Sequence, residues 1–348
     1  MKNMTKCRLT TWRVDYMTSI QRIIDLSQIR DLITKKTVFV GCVSFEERSI
    51  SAINYLECDS VEKAYVFYCS QFLDNNGVGE RLEMLKSTLC NCLETNAFSI
   101  DKPIDTVRLI NMVISKIVDK GTRELVIDVT TFTHELLLMI TKAVYEHRSG
   151  FESIRFLYVS ADDYSVGDAP QNKWLSKGCH DVRNVIGYLG NMRPTAKTCL
   201  VLLVGFEHER AAKLIEFLEP ECIELGNGID STNDNHIPTI NHFKTEFDKL
   251  FSGLSCSRKS KFDFSCKDIV TAAKGIMGTV RRNMHSNIII VPLNTKLSTI
   301  STALVALKYP DIQVAYAVTE AYNTEKYSIP GDKVTVIDMK KLFDCNFE

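Results

Sequence analysis

Between residues 37 and 165, continuous apolar runs alternate with stretches whose apolar residues recur at helical spacing. The run "TVFVGCV" (37–43) is rich in β-branched residues and has no polar face, the pattern of a strand buried on both sides. Residues 46–57 carry Ile50, Ala52, Ile53 and Leu56 at helical core spacing. There follow a strand at 63–69, a helix at 79–93, a short strand at 97–100, an amphipathic helix at 105–119 ending before Gly121, a strand at 123–130, a helix at 134–147 and a strand at 154–160. Strands separated by helices pair in parallel through right-handed crossovers, so this half predicts an α/β Rossmann-like sheet.

The pattern then returns. "SISAINYLE" (49–57) aligns without a gap on "AAKLIEFLE" (211–219), "ELVID" (124–128) falls on "NIIIV" (287–291), and "YVSADDYS" (158–165) falls on "YAVTEAYN" (316–323) with both tyrosines kept. Offsets of 158 to 163 over that span predict an internal duplication: two tandem Rossmann-like domains with mainly parallel sheets, related by a pseudo-twofold axis. The expected organisation is an N-terminal helical extension at 1–36 with a helix over 19–33, copy one at 37–165, a linker at 166–198, copy two at 199–323 and a C-terminal extension at 324–348. The polar segments 226–238 and 252–261 read as loops.

Composition narrows the class. The chain of 348 residues is 45% hydrophobic and 24% charged, and 42 Lys+Arg nearly balance 43 Asp+Glu. No basic excess is present, so nucleic acid is not expected as the main ligand, the local pair Arg281-Arg282 notwithstanding. No apolar run has the length of a membrane span, and Lys2, Lys6 and Arg8 have no apolar segment behind them, so a cytoplasmic protein is expected. The twelve cysteines are scattered through apolar segments without a Cys-x-x-Cys, which favours reduced core thiols over disulfides or zinc. His236 and His242 flank a proline with no further ligand at metal spacing, and no phosphate-binding glycine loop or nucleophile elbow occurs. Neither a metal nor a resident cofactor is expected.

Candidate chemistry concentrates where an open parallel sheet binds ligands, beyond the carboxyl ends of the strands at the point where strand order reverses. With the order 3-2-1-4-5, "SFEER" meets "DVTTFTHE" in copy one, and "GFEHER" meets "VPLNTKLST" in copy two. Ser44 and Glu47 have capping-box spacing, and Arg48 could simply pair with a neighbouring acid. Yet Phe206, Glu207, Glu209 and Arg210 repeat Phe45, Glu46, Glu47 and Arg48 although the capping position has become Gly205. Thr130, Thr131 and Thr133, with free N–H groups at a helix start, offer a seat for phosphate or ribose oxygens, and a cap explains only one of them. In copy two Asn294, Thr295 and Lys296 hold that place, the lysine adding a cation. Tyr164 and Tyr322, just past the fifth strands, are candidates for stacking on a base or for the core.

The segment "ELVIDVTTFTHELLLMITKAV" resembles the fourth-strand motif of CRISPR-associated Rossmann fold (CARF) domains, an Asn/Asp-x-Thr-Gly-Gly-Thr-Lys-x-Met-like turn. Asp128, Thr130, Thr133 and Met139 echo it, Thr131-Phe132 stand in place of its glycines, and Asn294-Thr295-Lys296 is nearer its Thr-Lys end. Two such units in one chain are similar to the SAVED sensors of cyclic-oligonucleotide defence systems. The resemblance implies a nucleotide or cyclic oligonucleotide held across the cleft, bacterial antiviral signalling, and output through a partner protein or self-assembly. The residues leave an alternative open. Glu46, Glu47, Glu207 and Glu209 repel phosphate but suit general acid/base work, as in a nucleotide hydrolase. A scaffold with two decayed clefts is the third reading.

Overall fold

The structure, a computed structural model, describes residues 20–74 and 77–345. Residues 1–19 of the expected N-terminal extension and 346–348 of the C-terminal one lie outside the described residues. The first half contains β1 (Gln21–Asp25), β2 (Thr37–Val43), β3 (Lys63–Cys69), helix α1 (Val78–Leu89), β4 (Leu93–Phe98), α2 (Pro103–Asp119), β5 (Glu124–Asp128), α3 (His134–Glu146) and β6 (Ser153–Tyr164). The short strands β7 (Ser176–Lys177) and β8 (Asp181–Asn184) follow. The second half continues with β9 (Thr198–Val204), α4 (His208–Leu218), β10 (Cys222–Gly228), α5 (Ile237–Gly253), β11 (Arg258–Phe264) and α6 (Ile269–Arg282). It ends with β12 (Asn287–Pro292), α7 (Lys296–Lys308), β13 (Gln313–Val318), β14 (Ala321–Tyr322), β15 (Ser328–Asp338) and α8 (Met339–Phe343).

The chain is α/β with mostly parallel sheets. Within the seven-stranded sheet β4-β3-β2-β5-β6 run parallel, and within the six-stranded sheet β11-β10-β9-β12-β13 do the same. Both follow the expected order 3-2-1-4-5. Every residue of β2 is buried, as its unbroken apolar run requires.

Each fifth strand then takes an antiparallel neighbour from the other half. The chain leaves β6 and forms β8 against β13, while the chain leaving β13 returns as β15 against β6. The segment expected as a linker therefore completes the second sheet, and the expected C-terminal extension is an inner strand of the first. Val334, Val336 and Ile337 of β15 are buried there, each worth roughly 1.5–3 kcal/mol. Helices α3 and α7 pack against each other at the centre, and one apolar cluster runs through both. Helix α7 is buried nearly all round; Ser298, Ser301, Thr302 and Ala303 keep it slender, and the Ser301 and Thr302 hydroxyls donate to carbonyls one turn back at 3.0 Å.

Four expectations change. Residues 21–25 form β1 instead of a helix, because Ile23 and Ile24 complete the antiparallel edge that β15 offers; only short 3-10 turns follow over Leu26–Leu32. Residues 46–57 form two short 3-10 turns, Glu47–Ile50 and Ile53–Tyr55, where the second half has helix α4 after its first strand. The serines explain it: the Ser44 hydroxyl accepts from the Glu46 N–H at 3.1 Å and the Ser49 hydroxyl donates to the Ser44 carbonyl at 3.3 Å, bonds that compete with a helix, whereas Ala211 and Ala212 have no such alternative. The third strand starts at Leu93, since Cys90, with φ of 44°, ends α1 early. Residues 258–261 belong to β11, an edge strand whose Arg258, Lys259 and Lys261 made it look like a loop.

Because each sheet owns a strand delivered by the other half, thermal unfolding is expected to show one cooperative transition in scanning calorimetry. Two resolved transitions would contradict the reciprocal exchange.

Candidate functional site

The turns after β2 and β9 carry the repeated Phe-Glu and Glu-Arg residues. Arg48 is buried, at 3% exposure. Its Nη2 and Nε donate to Glu46 Oε2 at 2.6 and 3.1 Å, Nε also to Ser328 Oγ at 3.0 Å, and Nη1 to the Val159 carbonyl at 3.1 Å. The Ser328 hydroxyl donates to the same carboxylate at 2.8 Å, and the guanidinium lies 5.2 Å from the centre of the Tyr164 ring. The second half carries a like constellation. Arg210, also buried, donates through Nη1 to Glu207 Oε2 at 2.6 Å and to Ser176 Oγ at 3.1 Å, and through Nη2 to the Ala317 carbonyl. Ser176 donates to Glu207, and the guanidinium lies 5.8 Å from the centre of the Tyr316 ring. In both halves the serine comes from the exchanged segment.

Helices α3 and α7 begin between these clamps. Thr133 caps α3 by accepting from the Leu136 N–H at 3.1 Å, and Thr295 caps α7 by accepting from the Ser298 N–H at 3.2 Å. The first residues inside the two helices are His134 and Lys296. Thr299 donates to the Thr295 carbonyl at 3.0 Å, leaving its oxygen to accept from His134 Nδ1 at 2.5 Å. Burial, reinforced by the Lys296 and Arg210 charges, holds this imidazole well below its usual range, hence neutral. Lys296 is pulled down to about 8, first by burial; Glu46 and Glu207 oppose the shift, and Arg48 and Arg210 add to it. Among the described residues, no hydrogen-bond or ion-pair partner lies within reach of its ammonium, because the nearby carboxylates are engaged by the arginines.

Residues of both halves enclose a cavity of about 150 Å³ beside these helix ends. Arg48, Thr130, His134 and Tyr164 form one side; Gly205, Glu207, Asn294, Thr295 and Lys296 form the floor. Aromatic rings make a wall: Phe206 and Phe243 have centroids 4.8 Å apart, His208 stacks on Phe243 at 5.3 Å, and Tyr164 sits 5.9 Å from Phe206. At Gly205 a Cβ would fall 2.3 Å from the Leu293 carbonyl oxygen, so the close approach of the two turns excludes the serine found at the matching position of copy one.

The other expected site residues are placed as follows. Glu47 and Glu209 are exposed and outside the cavity. Ser44 and Arg210 do not line it. Thr131 donates to the Cys42 carbonyl at 2.7 Å, and Thr133 is occupied as a cap. Thr130 lines the cavity while donating to Asp128 and accepting from the Val159 N–H at 2.9 Å; burial raises Asp128 to about 6 despite that bond. Asn294 donates to the Val204 carbonyl at 2.7 Å, tying the two turns of copy two together. Tyr322 packs on Phe45 and Phe72 in the first half. The segment 226–238, expected as a loop, belongs to β10 as far as Gly228, where it pairs with β9 and β11, and to α5 from Ile237, where Pro238 sits in the first turn; Asn227, Asp230 and His236 form part of the cavity wall. His236 bonds Ser231 Oγ at 2.9 Å and the Asp162 carbonyl at 3.2 Å.

No protein-family model matches the chain, and no curated protein matches it. No helix among the described residues is long and apolar enough to cross a membrane.

An unfolded lysine has a pKa near 10.4. Between about pH 8 and about pH 10.4 the unfolded chain therefore binds more protons than the folded one. The cost of the buried charge is fully present below that window and is relieved as pH rises through it. Lys296→Met is expected to stabilise the free protein by roughly 1–3 kcal/mol at pH 7 and by much less at pH 10. Urea unfolding of both proteins at the two pH values checks this. A Met variant less stable than the parent at pH 7 would mean the ammonium is satisfied within the fold.

Proposed function

We propose that the cavity binds a small anionic ligand with an aromatic ring, a nucleotide or part of a cyclic oligonucleotide, and that the protein is a regulatory sensor. The observation that carries this reading is Lys296: an ammonium without a partner among the described residues, at a helix N-terminus, facing an aromatic-walled cavity. A cation is mildly unfavourable at that end of a helix unless an anion joins it. A phosphate would take bonds from Lys296 and free α7 N–H groups while a base lay on the Phe206–Phe243 wall.

The glutamates favour binding over hydrolysis. Glu207 accepts from Ser176 on one oxygen and from Arg210 on the other, and Glu46 takes three bonds on Oε2 and does not line the cavity; pairing with a guanidinium also lowers the basicity a general base needs. We also read the two halves as products of an internal duplication. The shared strand order and the matching Glu-Arg-Ser clamps support that descent, as does the likeness of the fourth-strand turns to CARF and SAVED sensors. Signalling would then pass through a partner protein or self-assembly, in a bacterial antiviral system.

Incubation with mixed nucleotides and cyclic oligonucleotides, followed by mass spectrometry of the retained and free pools, is expected to recover a bound, unchanged nucleotide. Lys296→Glu is expected to weaken that binding more than tenfold, about 1.4 kcal/mol, with the fold retained. Processed nucleotide would favour the hydrolase. No retention would leave the scaffold reading.

A further inference from the structure

The two clefts are built alike but furnished differently. Ser176 and Ser328 hold equivalent places in the clamps, so Leu175 and Tyr327, each one residue earlier, are structural counterparts. In the first half Phe45, the counterpart of Phe206, is covered: Tyr327 lies 5.4 Å from it, Phe72 5.4 Å and Tyr322 5.6 Å. Tyr322 and Tyr327 in turn lie 6.4 Å apart. In the second half Leu175, half-buried and lining the cavity, stands where the first half has a tyrosine. Phe206, with Phe243 and Tyr164 beside it, keeps one side on the open cavity.

Resting on the reading of the second cleft as a ligand site, we infer that the protein takes one planar aromatic anion per chain, because the chain's own Tyr327, whose ring also borders the open cavity, fills the ring position against Phe45 in the first cleft. The first cleft is a built-in picture of the occupied state: a ring against the phenylalanine that follows strand one. The exchange of leucine for tyrosine at one counterpart position decides which cleft is open.

The probe is 1-anilinonaphthalene-8-sulfonate, a planar ring system with one anionic group, titrated by fluorescence against the full chain. One equivalent per chain is expected. Leu175→Tyr, which copies the filled cleft, is expected to weaken that binding at least tenfold with the melting temperature unchanged. Tyr327→Leu, which does not depend on whether the first variant folds, is expected to admit a second equivalent. Two equivalents on the parent protein, no binding at all, or unchanged binding in folded Leu175→Tyr would overturn the inference, as would a folded Tyr327→Leu that still takes one. Adenosine monophosphate is expected to displace the probe. Probe binding with the expected stoichiometry but no displacement by any nucleotide would sink the nucleotide reading and leave the single aromatic-anion site standing.

Discussion

Two buried Glu–Arg–Ser clusters join the turn after each first strand to a strand supplied from the other half. A guanidinium removed from water is tolerated only when a carboxylate and further acceptors satisfy it. Arg48 meets that demand with Glu46, Ser328 and the Val159 carbonyl, and Arg210 meets it through its two Nη groups with Glu207, Ser176 and the Ala317 carbonyl, while its Nε is buried without a partner among the described residues. Loss of either exchanged segment would strand a charge in the interior. The clamps therefore hold the two halves in register as well as holding their own turns.

That constraint explains the character of the cleft. With both glutamates committed to arginines and His134 kept neutral, the Lys296 charge is left over at the start of a helix that is buried almost throughout. The helix end cannot move toward solvent without unpacking α7 from α3 and α6. Lys296 is thus held beside the cavity by packing, and an incoming anion would find the charge already in place.

Much of the fold was legible in the sequence. Long β-branched runs such as 37–43 and 199–204 carry strand identity by themselves, and the near-constant offset predicts that the sheets share one order. The failures have tertiary causes. β15 and β8 look like extensions because each is completed only by a neighbour from the opposite half, which no local pattern reveals. β1 reads as a helix because its helical spacing is real and only the open edge of β15 overrides it. In the site, the recurrence of Glu-Arg singled out Arg48, Arg210, Glu46 and Glu207, and the structure places these residues in the two buried clamps. Thr131 and Thr133 belong with them as structural hydroxyls. His134 was legible as the counterpart of Lys296 at the repeat offset. Asp230 was within reach from strand order alone, since the loop after strand two must lie beside the turn after strand one, whereas Phe243 lies within helix α5 and gave no such signal.

The most direct measurement is a double-mutant cycle in urea on Arg48→Met and Ser328→Ala, residues that meet only because the C-terminal strand crosses to the first sheet. A buried, charge-assisted contact of this kind predicts a coupling of about 1 kcal/mol or more, whereas independent sites add to within about 0.5 kcal/mol. Strong coupling is the result expected if the exchanged strand and the first-strand turn are fastened through this arginine. Simple additivity would contradict the clamp as the element on which the arrangement of the two halves depends.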